Sequence, residues 1–390
     1  YEPASLFVCV HARKKYACKA CEGHVATASK PAEPIDKGLP GPGLLAHVAT
    51  SKYCDHQPLY RQESILARHG VDVSRQTMCD WMAKVAHLVE PIVLRMRTLA
   101  LQSKVIHTDD TPVPVLDPRR PGKTKTGRLW VYLGDAEYPY TLFDFTATRS
   151  REGPEAWLSG YQGYLQADAF SGYDAMFRLG HVREAACWAH ARRKFFEAKS
   201  SDAARAHQAL AMIGRLYDVE REAKQAVERA RRDHADAPLS QADEIVASLR
   251  REKSAPILTQ IQGWLDEQAR TALPKSPIGQ AIAYARSNWQ ALIRYLDAGY
   301  LAIDNNAAER AIKTVVIGRK NYLHFGSDNG GDTAATLYSI TVTCKRLGVD
   351  PFRYLRDVLN AVSTHPAKDI DELLPDRWAT RASAATASRT

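Results

Sequence analysis

The sequence predicts a mixed α/β (α+β) protein, on three observations. Residues rich in β-branched and aromatic side chains run from Val105 to Asp168, helical periodicity takes over between Asp202 and Ala298, and a helix, a glycine and a capped second helix precede both. At 390 residues and 45% hydrophobic content, the chain is long enough for two or three domains with at least one sizeable core. These patterns divide it into six parts. Residues 1–36 form a partial zinc-ribbon-like segment, 37–100 a helix-turn-helix region and 101–200 the first part of a sheet core. Residues 201–298 are an all-helical insertion, 299–348 the second part of the core, and 349–390 a C-terminal helical segment with a disordered tail.

The chain opens on Tyr1 rather than Met and enters an apolar, strand-like stretch at residues 6–10, which suggests upstream sequence. Short β-like runs flank Cys18-Lys-Ala-Cys21, and Lys30-Pro-Ala-Glu-Pro and Gly38-Leu-Pro-Gly-Pro-Gly read as linker. A helix is predicted over residues 59–69, broken by Gly70, with Ser74 as N-cap of a second helix over residues 75–85. Strands follow at residues 105–109, 129–133, 140–145 and 164–168. In the insertion, Ala209, Ile213, Leu216 and Glu220, then Ile257, Ile261, Trp264 and Leu265, recur at helical steps. Asp304-Asn-Asn306 is placed to cap a helix carrying Glu309. The Gly-rich stretch at residues 326–331 reads as a loop before a helix from about Thr333 to Arg346, stopped by Gly348. Beyond Pro375 the Ala/Ser/Thr-rich composition reads as disorder.

Lys and Arg number 53 against 44 Asp and Glu, a net charge of +9 that favours a polyanionic partner such as nucleic acid. No run of about 18 uncharged apolar residues argues for a membrane span, and no signal-peptide layout opens the chain. Seven cysteines without framework spacing predict reduced thiols in the cytoplasm.

Two aspartates end strand-like runs: Asp109 closes Val105-Ile-His-Thr-Asp, and Asp168 closes Tyr164-Leu-Gln-Ala-Asp. A carboxylate at such a position is normally paired or metal-bound. With Glu309 on a later helix they offer three hard oxygen donors suited to two Mg²⁺ (or Mn²⁺) ions and to in-line displacement at a phosphodiester. Any one of them alone reads more ordinarily as a turn or capping residue. Asp110 adjoins Asp109 but points to the opposite face of a strand, so Asp109 is preferred as the first carboxylate.

Four ordered motifs sharpen this reading: His107-Thr-Asp-Asp-Thr-Pro-Val113, Leu165-Gln-Ala-Asp-Ala-Phe-Ser-Gly-Tyr-Asp174, Cys187-Trp-Ala-His-Ala-Arg-Arg-Lys-Phe195 and Asp304-Asn-Asn-Ala-Ala-Glu-Arg310. With Ile317-Gly-Arg-Lys-Asn-Tyr322 and Glu372-Leu-Leu-Pro375, the chain resembles the bacterial DDE transposases of insertion-sequence family sixty-six from end to end. The resemblance implies an RNase H-like catalytic core with Asp109, Asp168 and Glu309 as its triad, interrupted by a helical insertion. It also implies cleavage at terminal inverted repeats and strand transfer into target DNA, by a homo-oligomer on DNA assisted by accessory proteins of the same element. The enzyme is then cytoplasmic and nucleoid-associated when bound. Lys313 stands where the family commonly has Arg, and Leu323-His-Phe325 departs from the usual text.

Cations follow the motifs closely. Arg192, Arg193 and Lys194, then Arg310, Lys313, Arg319 and Lys320, and Arg75 at the start of the second early helix are candidate DNA contacts, against the plainer reading of solvated helix faces. Cys18 and Cys21 supply half of a zinc site, which Cys9 and His11 would complete only as an unusual knuckle. Cys187 and His190 read as a pair bracing the site or as a buried thiol and a satisfied histidine, and Trp264 and Trp289 as core residues more than base-stacking ones. Two other classes compete: a non-catalytic DNA-binding derivative, disfavoured by the intact triad, and an RNase H-like structure-specific nuclease, disfavoured by the insertion and the early helices.

Overall fold

The computed structural model describes residues 5–19, 23, 25–36, 38–168, 170–233 and 238–387, with side chains up to Arg381. The chain divides into two compact units, one comprising residues up to Arg95 together with those from Ile317, the other Met96–Val316. The segment 299–348 is thus shared between them.

The first unit opens with an exposed antiparallel hairpin, β1 (Lys15–Ala17) and β2 (Val25–Thr27). The strand expected at residues 6–10 does not form; Phe7 and Val8 stand 87% and 89% exposed. An apolar run becomes a strand only when a partner takes up its backbone groups, and none does so here among the described residues. Helix α1 (Pro42–Tyr53) begins inside the stretch expected to be linker, with Pro42 in the first turn, where its missing N–H is harmless, and Leu45, Ala46, Val48 and Ala49 wholly buried.

Helix α2 (Leu59–Arg68) ends before Gly70 at φ +76°, and α3 (Arg75–Ala100) begins after Ser74, whose hydroxyl accepts the Thr77 N–H at 3.1 Å. Glu63 of α2 accepts the Arg75 N–H at 3.0 Å, fixing the turn. α3 runs well past the predicted residue 85, because Met82, Val85, Val89, Ile92 and Met96 continue a buried helical stripe through Pro91.

The second unit is built on a five-stranded mixed sheet. Its strands are β3 (Val105–Leu116), β4 (Thr124–Leu133), β5 (Thr141–Thr146), β6 (Gly163–Gln166) and β7 (Val182–Ala185), in the order β5-β4-β3-β6-β7. The pairs β5·β4 and β4·β3 are antiparallel; β3·β6 and β6·β7 are parallel. β3 does not end at Asp109 as expected. It continues along β4 to Leu116, while its pairing to β6 stops at His107. Pro112 and Pro114 are tolerated because that side of β3 has no further partner strand. Short helices α4 (Glu152–Trp157) and α5 (Asp174–Arg178) occupy the parallel crossovers, and α6 (Trp188–Glu197) follows β7.

The all-helical insertion comprises α7 (Ala203–Asp233), α8 (Leu239–Leu249), α9 (Ala255–Gln268), α10 (Pro277–Ser287) and α11 (Trp289–Ile293), closed around Ile213, Leu216, Ile257, Ile261, Leu265 and Ile282. Trp289 is buried edge-on to Trp188 at 6.0 Å, and Trp264 packs against Phe195 while its indole donates to Gln208 at 3.1 Å, so both serve packing. A π turn, Arg250–Ser254, joins α8 to α9. Its Arg250 is 2% exposed and grips Glu220 with two bonds of 2.8 and 2.7 Å while donating to the Tyr295 and Ala298 carbonyls. Glu220→Ala would leave that guanidinium buried without its anion, an expected loss of about 3 kcal/mol in chemical denaturation.

Helix α12 (Asn306–Tyr322) carries Glu309. The glycine-rich stretch proves to be the first turn of α13 (Asp328–Arg346) rather than a loop, since Ser327 caps it by accepting the Gly330 N–H at 3.1 Å. Gly348 ends it at φ +69°. After α14 (Pro351–Ala361), the tail expected to be disordered forms α15 (Pro375–Ala387). Trp378 packs edge-on against Tyr354 at 5.8 Å, anchoring an alanine-rich segment of high helix propensity. Among the described residues no helix is long and apolar enough to cross a membrane.

Candidate active site

The β3·β6 register sets Val105 beside Tyr164, Ile106 beside Leu165 and His107 beside Gln166. Carried two residues further, it brings Asp109 and Asp168 level, where the two strands part. Glu309 enters from the first turn of α12. The consequence is electrostatic: the Asp109 carboxyl is pushed up to about 7 by burial, against the Asp110 N–H that it accepts at 2.8 Å, and with the help of the charges on Asp168, Asp110 and Glu309. Asp168 is raised too, chiefly by burial, with Asp110 and Glu309 pushing it up and His190 and Arg149 pulling it down. Three carboxylates from distant segments therefore feel one another. They are not drawn into a closed chelating group, and among the described residues no three His, Cys, Asp or Glu side chains form one.

Asp110 behaves differently from its neighbour. Its side chain is 3% exposed and held by Arg128 at 2.8 Å and Arg149 at 2.9 Å, and the Arg149 guanidinium also lies 4.4 Å from the Phe170 ring centre. Both Asp110 oxygens are therefore already committed to protein cations.

A wholly buried asparagine organises the junction. The Asn305 backbone N–H donates to the Cys187 thiol sulfur at 3.2 Å, and its side-chain NH₂ to the Thr108 carbonyl at 2.8 Å. Its side-chain oxygen lies 3.1 Å from His107 Nδ1, which must then carry the proton. Asp304 closes the turn by accepting from the backbone and side chain of Asn306 at 3.1 and 2.7 Å. Gln166, also fully buried, donates to the Ala302 carbonyl at 2.6 Å. On α6, His190 Nε2 stands 3.7 Å from Glu309. Cys187, at the N-cap position of α6, is pushed up to about 11 by burial, and its thiol accepts the Asn305 backbone N–H.

Arg192, Arg193 and Lys194 are exposed on α6, and Lys194 lies 4.7 Å from the Tyr284 ring centre. Arg193 and Lys194 sit one turn beyond His190, and Lys313 one turn beyond Glu309, hence on the same helix faces. Arg310 and Lys313 are exposed, and Glu309 faces His190 instead of pairing with Lys313. Arg75, exposed at the start of α3, half-buried Arg319 and exposed Lys320 belong to the other unit. Cys9, His11 and Cys18 are exposed, and Cys21 lies outside the described residues. The sequence reading missed Asn305, Gln166 and His107. The only signal was a doubled asparagine of which a single member was needed to cap the helix.

The profile described as "Transposase IS66 family" matches residues 37–333, and that of the "IS66 C-terminal element" residues 339–375. The uncharacterized protein y4jD of Sinorhizobium fredii is 32% identical over 391 residues, spanning 96% of this chain and 73% of its own length. A second protein of that organism, y4qI, is 34% identical over 96% of this chain and 69% of its own. With a profile matching most of its length and relatives of this identity along nearly all of it, the chain belongs to the IS66 family of transposases.

Proposed function

We propose that this protein is a DNA transposase that cleaves the ends of its element and transfers them to target DNA, using Asp109, Asp168 and Glu309 on an RNase H-like core. The observation that carries the reading is the approach of two buried aspartates, Asp109 and Asp168, where β3 and β6 part, both raised chiefly by burial and further by the Glu309 charge, in an otherwise basic chain. The sheet supports it as well, with three antiparallel strands continued by two parallel ones, Asp109 on the central strand β3 and Asp168 two residues past the end of the adjacent β6. The donor set consists of carboxylates that repel one another without a cation, which suits two Mg²⁺ or Mn²⁺ ions. Once bound, such ions supply the charge that activates a water or 3′-hydroxyl and stabilises the leaving oxygen.

The chain's own residues do the rest. Asp109, Asp168 and Glu309 fix where a scissile phosphate sits, and Arg193, Arg310 and Lys313 line its approach with charge. His190 steadies Glu309. Arg75, at the start of α3, belongs to a helix-turn-helix that reads the terminal inverted repeats. The same reading gives a homo-oligomer pairing two ends, aided by accessory proteins.

The test is a labelled inverted-repeat end incubated with Mg²⁺. Wild type is expected to nick and join end-bearing DNA, whereas Asp168→Ala and Glu309→Ala lose about 10³-fold or more. Sequence-blind cleavage would mark a nuclease instead, and binding without cleavage an inactive derivative. Separately, Lys313→Gln is expected to weaken end binding about 3–10-fold and lower the log–log salt slope by about 1, with Lys313→Arg restoring both. An unchanged slope would remove Lys313 from the DNA interface.

A further inference from the structure

We infer that Asn305 and Gln166 form a buried amide clamp that positions the three carboxylates relative to one another. The inference rests on the transposase reading above but concerns residues that touch neither DNA nor metal. Asn305 ties the head of α6 to two neighbouring residues of β3. Its backbone N–H reaches Cys187 at the head of α6, its side-chain NH₂ the Thr108 carbonyl on β3, and its side-chain oxygen His107. Its own carbonyl accepts the N–H of Glu309 at 3.3 Å, so the helix that bears the third carboxylate starts from this anchor. Thr108 immediately precedes Asp109.

Gln166 completes the frame from the other strand. It pairs in register with His107, lies two residues before Asp168, and donates to Ala302, three residues before Asn305. The loop 302–305 is therefore bonded to β3 one residue from Asp109 and to β6 two residues from Asp168, and it leads directly into Glu309. Both amides are fully buried. Removing one leaves a buried carbonyl unpaired, a penalty large enough to let the loop shift. Carboxylates that repel one another spread apart once the loop that spaces them is loose, and ligand geometry held only loosely weakens a metal site.

The clamp's signature is a change in metal affinity that exceeds any change in folding. In the full-length chain, Mn²⁺ binding followed by electron paramagnetic resonance is expected to shift to at least tenfold higher midpoint in Asn305→Ala, with end-DNA affinity within twofold of wild type. A purely structural role would lower the amplitude with the folded fraction and leave the midpoint in place. Should Asn305→Ala not fold, Gln166→Leu, close in volume and lacking only the bond to Ala302, is expected to show the same shift. Wild-type binding with an unmoved midpoint in the folded variants would overturn the clamp alone. A wild-type chain that binds no Mn²⁺ would overturn the metal reading, and the clamp's role with it.

Discussion

Replacing Asp109 with Asn is expected to make the metal-free protein more stable at pH 8 while abolishing DNA cleavage. The Asp109 carboxyl in the folded chain is pushed up to about 7, well above its usual 3.8. Between those values the native state keeps a proton that the unfolded chain has released, so stability falls as pH rises through this window, and the deficit persists above it. A shift of this size corresponds to on the order of 2–4 kcal/mol, given that one unit is 1.36 kcal/mol. Asp109→Asn retains an oxygen for the Asp110 N–H but carries no charge, so its advantage should be full at pH 8 and vanish near pH 4. Divalent cation should reverse the order by stabilising only the wild type, since an ion that binds the native state alone shifts the folding equilibrium. Cleavage by the variant should fall about 10³-fold or more. Thermal melts across pH with and without Mg²⁺ read the first part, and an Asp109→Asn chain no more stable than wild type at pH 8 would show that the Asp109 carboxylate carries no penalty from burial and neighbouring charge in the folded chain.

The adjacent residue should give the opposite pattern. Asp110→Ala removes the anion from between Arg128 and Arg149 and leaves two guanidinium groups without it, that of Arg149 lying over the Phe170 ring. Because Arg128 and Arg149 keep 23% and 40% of their side-chain exposure, solvent screens part of the cost, which is expected to be about 1–3 kcal/mol. The milder Asp110→Asn, purified and assayed at low temperature, should keep cleavage within about tenfold of wild type, because both Asp110 oxygens serve the fold. Stability lost with chemistry retained at 110, and the reverse at 109, would separate two neighbours that the sequence distinguishes only by strand face. Loss of cleavage in both variants with normal stability would mean that Asp110 belongs to the chemistry.

What could be read from the sequence followed the range of the forces involved. The strands carrying Trp130, Tyr132 and Phe143 announce themselves through local composition, and Gly70 with Ser74 marks the turn between α2 and α3 through backbone preference and a cap three residues long. β7 was missed because four residues, two of them Arg183 and Glu184, give no alternating pattern. Residues 6–10 were misread because an apolar run says nothing about whether a partner strand exists. Composition likewise misled at α15, where a single aromatic contact by Trp378 orders a segment that would otherwise read as disorder. At the candidate site the carboxylates were visible as charges in apolar surroundings. The bond from Asn305 to Thr108 spans 197 positions and leaves no trace in local pattern.

The central claim is that the side chains at 109, 168 and 309 share one metal-binding locus, and Fe²⁺-directed cleavage of the polypeptide tests it most directly. With Fe²⁺ replacing Mg²⁺ in the full-length chain, ascorbate and peroxide should cut the backbone close to all three positions together, competed by Mg²⁺ and lost at all three in Asp109→Asn. Cuts confined to one of the three segments, or unaffected by that substitution, would contradict the account.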